Sequence, residues 1–451
     1  MQKYESYFTY KDYESDIDHG VVQFRYELGH LGNTYEFTET LSFNPLDKNR
    51  NIGVDDQTLT AIFDSLHILL GISYWKLVCP KDIRLSSQQL TQKQAQFWNT
   101  VYTKGLGEFY YRNSIDFRDL VQFPFTEKTT SIPGSKTFSN RSLVLLGSGK
   151  DSIVSSELLK KSHKDFTLFS LNAKNIHKET AGLIGKPFID AKRVLDSKLL
   201  ELNKEPGFYN GHVPITAITS FAGLFMAYMY DFRYIIMSNE ETANYGNVEY
   251  HGSIINHQWS KTLEFETLFR DYVREHISGD LVYFSLLRPF TEAAIMKQFI
   301  KHSQYFDQFT SCNKNFTLSE AGPPVRWCGV CPKCAFVFLL LAGFLPKEKV
   351  ISILHKNLFA DKKLIPTYKE LLGIEGIKPF ECVGTPEEVL FTFSRILANS
   401  EYNDDVVVKE LSPQILSLAE DKKVSPEKIF GFSEKNCIPP EFTEVVKTYE
   451  T

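Results

Sequence analysis

The chain has 451 residues, enough for two or three domains, and its 43% hydrophobic and 23% charged residues are those of an ordinary globular protein. A formal net charge of −5 excludes a broadly basic surface of the kind that holds nucleic acid through its phosphates, so no nucleic-acid partner is expected. The opening residues MQKYESYFTYKDYESDIDHG are polar and acidic, so no signal peptide is expected there, and the apolar run AFVFLLLAGFL (335–345) is shorter than the ~20 residues a bilayer span requires. The longer run VPITAITSFAGLFMAYMY (213–230) leads straight into DFRYIIMSNEE, the profile of a buried helix feeding a strand, and a cytoplasmic protein without a membrane partner is expected.

Residues 1–135 read as an N-terminal α+β domain. VVQFRYEL and NTYEFTETLSF mix aromatic and β-branched residues in partial alternation, as strands do. DDQTLTAIFDSLHILLGISYWKL and QQLTQKQAQFWNTVYTKGLGEFYYRN read as helices, the first opened by capping residues. The Pro-, Gly-, Ser- and Thr-rich stretch PFTEKTTSIPGSKTFSN (124–140) reads as a linker.

Beyond it, strands and helices alternate. SLVLLG is followed by a helix over 152–163, the strand FTLFSLN, a Lys- and Leu-rich segment around 188–203 and the helix 213–230. The strand RYIIMSNEE, a helix over 257–277 and the strand LVYFSLL follow. This order predicts the fold class α/β, with a doubly wound parallel sheet over 136–345. From about 346 the chain reads as a C-terminal helical region. Ligands of such sheets bind beyond the carboxyl ends of the strands. Those ends carry Gly147-Ser148-Gly149-Lys150-Asp151-Ser152, Asn172-Ala173-Lys174-Asn175, Ser238-Asn239-Glu240-Glu241 and Arg288-Pro289, all polar.

The first of these is not a kinase-type P-loop. The residue after Lys150 is Asp151 rather than Ser or Thr, and Val144 stands where that motif needs glycine. It is not a dinucleotide fingerprint either, because Ser152 occupies the third glycine position. It resembles the S-G-G-x-D-S loop of the PP-loop ATP pyrophosphatases, which holds the β,γ-phosphates of ATP. Backbone N–H groups at a helix N-terminus make an anion nest, with Ser148 and Ser152 as hydroxyl donors, Lys150 as a point charge and Asp151 beside magnesium or at the helix cap. The resembled motif has glycine where this chain has Ser148; a positive φ there would strain serine by about 1–3 kcal/mol.

Two further blocks carry chemistry. SNEETANYGNVEYHGSIINHQWSKTLEFE (238–266) is dense in Asn, Glu and His directly after a buried strand, and Glu240, Glu241, His251, His257 and Lys261 are its candidates for proton exchange, magnesium or substrate contact. In CNKNFTLSEAGPPVRWCGVCPKC, fifteen residues separate Cys312 from Cys328, and Cys331 and Cys334 follow at C-x-x-C spacing. Four thiolates suit tetrahedral zinc; an iron–sulfur cluster and free buried thiols are the alternatives. Cys79, Cys382 and Cys437 stand alone and are expected to pack as small core residues.

Nearly the whole chain resembles the ATP-dependent UDP-N-acetylmuramoyl-L-alanyl-L-glutamate epimerases of bacterial peptidoglycan synthesis. The resemblance rests on FWNTVYTKGLGEFYYRN (ending at Asn113), GSGKDS (147–152), the 238–266 block, CGVCPKCAF (328–336) and KPFECVGTPEE (378–388). It implies a PP-loop, adenine-nucleotide-hydrolase-like fold, with ATP and Mg2+ as cofactors and a UDP-N-acetylmuramoyl-dipeptide as substrate. The implied chemistry is adenylation of the glutamate carboxylate and inversion of its α-carbon, with release of AMP and pyrophosphate. It also implies ATP contacts by residues 147–152, with Asn172 near the adenosine and Arg288 on a phosphate or carboxylate. Two other readings stand beside it. One is a different adenylating ligase, such as a 7-cyano-7-deazaguanine synthase, which shares the C…C-x-x-C-x-x-C site. The other is a non-catalytic nucleotide- or zinc-binding interaction protein.

Overall fold

The computed structural model describes residues 6–45, 56–127, 136–316 and 326–449. Its strands are β1 (Tyr7–Asp16), β2 (Val21–His30), β3 (Asn33–Phe43), β4 (Asp82–Leu85), β5 (Ser142–Leu145), β6 (Phe166–Leu171), β7 (Phe188–Val194), β8 (Tyr234–Met237), β9 (Val248–Tyr250), β10 (Ser253–Ile255) and β11 (Val282–Ser285). β9 and β10 form a hairpin, and the other nine make one sheet in the order β11-β8-β5-β6-β7-β3-β2-β1-β4.

The half from β11 to β7 is parallel, as the alternating pattern predicts. Helices Lys150–Lys161, Asn175–Ile184, Ile215–Tyr230 and Leu263–His276 make the crossovers. β5 shows why both faces must be covered. Its Leu143 and Leu145 enter one apolar core, with helices Asp56–Trp75 and Ile215–Tyr230, while Val144 and Leu146 enter a second core on the other face. A strand apolar at every position is stable only between two layers.

In the other half β7, β3, β2 and β1 pair antiparallel and β4 joins β1 in parallel at the edge, so the sheet is mixed rather than wholly parallel. β1, β2 and β3 form a meander whose last strand pairs with β7, Phe43 opposite Ala191. The boundary expected at residue 135 therefore does not divide the sheet. β7 lies in the segment 188–203, read from sequence as Lys- and Leu-rich without a strand. Its alternation is masked because a buried charge stands on the inward side: Arg193 Nε donates to Glu39 Oε1 of β3 at 2.6 Å. Part of the expected linker, 128–135, lies outside the described residues.

The C-terminal helices Lys347–Leu354, Ile365–Leu372, Pro386–Asn399 and Val406–Lys422 match the helical expectation. They share the second core with helix Pro332–Ala342 rather than enclosing one of their own. Among the described residues, no helix is long and apolar enough to cross a membrane.

Candidate active site

The chain leaves β5 towards β6 and β7 on one side and returns to β8 and β11 on the other, which places a crevice at the carboxyl ends of β5 and β8. A cavity of about 370 Å³ opens there. Gly147, Gly149, Asp151 and Ser152 line one wall, and Ser238 and Asn239 line the wall beyond β8. Lys261, Lys333 and Cys382 close it from elements distant in sequence.

The loop after β5 is built for close approach. Gly147 has no neighbour within 4 Å of the position a Cβ would take, whereas a Cβ on Gly149 would stand 3.0 Å from Ser311 Oγ. Gly149 caps helix Lys150–Lys161 without a side-chain hydrogen bond, so the helix end keeps its partial positive charge for an anion. Ser148 adopts φ +58, in the left-handed region that favours glycine. Its hydroxyl donates to Ile176 O at 3.3 Å, and that of Ser152 to Gly149 O at 3.2 Å. The first ties the loop to helix Asn175–Ile184, and the second braces it from within.

Lys150 does not line the cavity. Its ammonium is buried between Asp151 and Glu292, where the two carboxylates overcome the burial that would otherwise discharge it. The cations lining the cavity are instead Lys261 and Lys333, the latter from helix Pro332–Ala342. Glu292 also pairs with Lys333 at 3.3 Å, and the two lysines hold its carboxyl well below the usual range against the effect of burial. Glu240 lies behind the wall, 2% exposed, with Oε1 lacking a hydrogen-bond partner. Burial and then the charge of Glu292 push its carboxyl up.

Arg288, expected on a ligand phosphate, is instead a strut. It is fully buried and donates from Nε to Glu266 Oε2 at 2.9 Å, and from its two terminal nitrogens to Glu240 O and Lys261 O at 2.6 Å each. It fixes the backbones that carry two candidate side chains and has no fork left for a ligand. Asn172, expected near adenosine, accepts from Arg193 N at 2.6 Å through Oδ1 and is not a cavity residue. Glu241 opens a 3-10 turn, and His251 is exposed at the tip of the β9–β10 hairpin against Tyr250. Neither lines the cavity.

Cys382, read from sequence as a core residue, lines the cavity instead. Lys261 Nζ donates to its Sγ at 3.1 Å. His257 lies near enough to favour its thiolate as well, and His257 Nδ1 lies 2.5 Å from Glu108 Oε2, whose second oxygen accepts from Arg112 Nε at 2.5 Å. Burial alone would raise the thiol, but Lys261 and His257 bring it down to about 5. Burial likewise opposes charge on His257, and Cys382 and Glu108 lift it to about 9. The two shifts favour the thiolate–imidazolium form of the pair. The segment carrying Cys382 is pinned: Asn247 Nδ2 donates to Pro379 O at 2.8 Å, and Lys333 N donates to Glu381 Oε2 at 3.1 Å. Thr385 and Glu388 form a capping box just beyond it.

The four clustered cysteines converge away from this cavity. The sulfurs of Cys312, Cys328, Cys331 and Cys334 all lie within 4.8 Å of one another, with Cys328 and Cys334 3.7 Å apart. A tetrahedron with Zn–S bonds of ~2.3 Å has edges of ~3.8 Å. The donor set therefore fits zinc.

Comparison with known proteins bears on this architecture at two levels. The MurL N-terminal domain model matches residues 1–286 and the MurL C-terminal domain model residues 308–425. This chain belongs to the MurL family. A relative from Micromonospora sp. is 35% identical over 442 residues, covering 97% of both chains. One from Salinispora tropica is 37% identical over 90% of this chain and 88% of the relative, and one from Xanthomonas oryzae pv. oryzae is 36% identical over 85% and 84%. All three are named UDP-N-acetyl-alpha-D-muramoyl-L-alanyl-L-glutamate epimerase. The two MurL spans meet at the cavity: the first supplies the 147–152 loop, Lys261, His257 and Glu108, and the second supplies Lys333 and Cys382.

Proposed function

We propose that this protein is an ATP-dependent epimerase that converts the terminal L-glutamate of UDP-N-acetylmuramoyl-L-Ala-L-Glu to D-glutamate in the cytoplasm, on a fold of the PP-loop type. The observation that carries the reading is the cavity itself, where an anion-favouring helix end and two lysines face a charged thiol. A free carboxylate makes its α-proton hard to remove, because it cannot accept further negative charge. Transfer of AMP to that carboxylate gives a mixed anhydride whose carbonyl can take the charge of an enolate, and pyrophosphate leaves.

In this reading the backbone of Gly147–Ser152 cradles the β,γ-phosphates, and Lys261 and Lys333 neutralise charge that builds on the leaving group. Asp151, which lines the cavity, is the carboxylate suited to Mg2+, a hard cation that takes oxygen ligands. Proton removal and return from the opposite face invert the centre, and hydrolysis of the adenylate frees the D-glutamyl product. The Cys312, Cys328, Cys331 and Cys334 set would hold a structural zinc that fixes helix Pro332–Ala342, and with it Lys333.

The test is incubation with Mg–ATP and UDP-N-acetylmuramoyl-L-Ala-L-Glu in D2O. AMP release with deuterium at the α-carbon of a D-configured product is the expected result. AMP without deuterium would keep adenylation and discard epimerisation.

A further inference from the structure

Removal of a proton from carbon needs a basic atom that faces the cavity and is held in place by residues outside the phosphate-binding loop. Among the described lining residues with titratable side chains, most fail. Lys261 stays protonated, because Cys382 and Glu240 outweigh its burial. Lys333 is committed to Glu292 and to the carbonyl of Cys382. Asp151 is bound to Lys150, and His177 Nδ1 accepts from Lys174 N at 2.9 Å. Cys382 meets the requirement. Its sulfur faces the cavity, is held from one side by Lys261 and from the other by the chain His257–Glu108–Arg112, and sits on a segment pinned at both ends. Lys333 and Lys378 add positive charge around it, and Glu381 precedes it in the chain with Lys333 N on its carboxylate.

We propose that Cys382 is the catalytic residue that exchanges the glutamate α-proton, and that Lys261, His257 and Glu108 are the residues that position its sulfur. The assignment rests on the epimerase reading above. In the step, the electron pair of the Cα–H bond moves to the acyl carbonyl oxygen, and the proton passes to Sγ, turning thiolate to thiol. A proton from water closes the carbanion on the opposite face, and the thiol returns its own proton to solvent. A thiolate suits this exchange because it is weakly solvated in a half-buried setting, and the Lys261 ammonium beside it favours its charged form before the proton arrives.

The experiment compares the wild-type chain with Cys382→Ser under Mg–ATP and UDP-N-acetylmuramoyl-L-Ala-L-Glu in D2O, following AMP and α-deuterium together. Loss of a positioned base lowers exchange by about 10²–10⁴-fold. The expected result is that loss, with the wild-type urea midpoint retained as the mark of a folded protein. Exchange within threefold of wild type overturns the assignment. Wild-type exchange without AMP would sink the adenylation reading and leave the serine comparison decisive. Wild-type AMP release without exchange would sink epimerisation and the cysteine role together.

A second measurement does not depend on the serine variant folding. Iodoacetamide alkylation of the wild-type chain, mapped by peptide mass, modifies Cys382 at pH 6 well ahead of Cys437 and abolishes exchange in proportion. Glu108→Gln slows that alkylation about tenfold and lowers exchange, which a merely structural role would not do. Alkylation of Cys382 no faster than Cys437, or complete modification with exchange intact, overturns the proposal.

Discussion

Arg288→Lys separates a structural strut from a phosphate ligand. The arginine is fully buried and spends its nitrogens on the Glu266 carboxylate and on the carbonyls of Glu240 and Lys261. A lysine ammonium keeps the charge opposite Glu266 but lacks the planar fork that reaches both carbonyls. Two buried acceptors are then left without donors, at about 1–3 kcal/mol each, so the folded state loses ~2–6 kcal/mol. Urea unfolding followed by tryptophan fluorescence reads this directly, as a fall in the midpoint at unchanged slope. The backbone of Lys261 also loses its anchor, and AMP release falls in parallel because that residue lines the cavity. Stability within about 1 kcal/mol of wild type, together with a selective rise in the KM for ATP, would refute the strut and restore Arg288 to the ligand.

Asp151→Asn leaves Lys150 with Glu292 alone and removes a carboxylate from the cavity wall, so AMP formation is expected to fall by at least about 100-fold, measured by chromatography of the nucleotides. Epimerisation is expected to rise as pH passes about 5, where the depressed Cys382 thiol ionises, and to decline as pH passes about 9, where the elevated His257 imidazolium is lost; initial rates in buffers of constant ionic strength report both limbs. Cys331→Ser removes one of four converging sulfurs, and plasma mass spectrometry is expected to find close to one zinc per wild-type chain and little in the variant, with a lowered Tm. Lys333→Met empties one cation from the cavity while leaving Glu292 with Lys150, so binding of Mg–ATP by titration calorimetry is expected to weaken about tenfold or more with the fold retained.

Local order was readable along the chain. The apolar run at β5, the small residues after it and the long helix Ile215–Tyr230 are all written in residues adjacent to one another, and period and capping are local properties. The four cysteines were readable for the same reason, since three of them fall within seven residues. β7 was not, because its buried Arg193 reads as a surface charge until Glu39 of β3 is placed against it.

Contacts between distant segments were decided by tertiary structure alone. No spacing rule joins Glu108, His257 and Cys382, which lie on three segments brought together by the sheet and by the docking of the second MurL span. A lone cysteine in KPFECVGTPEE has the composition of a core residue, and the charges that favour its thiolate, Lys261, His257 and Lys333, come from distant segments. The reverse holds for Lys150 and Arg288. Sequence position at the strand ends put them near the ligand, yet Lys150 is satisfied by Asp151 and Glu292, and Arg288 by Glu266 and two backbone carbonyls. The sequence by itself determined where the small-residue turn and the helix end after β5 lie, because both are local objects. Which charges face that helix end depended on three-dimensional partners, because a buried charge goes to whichever opposite charge the fold brings within reach.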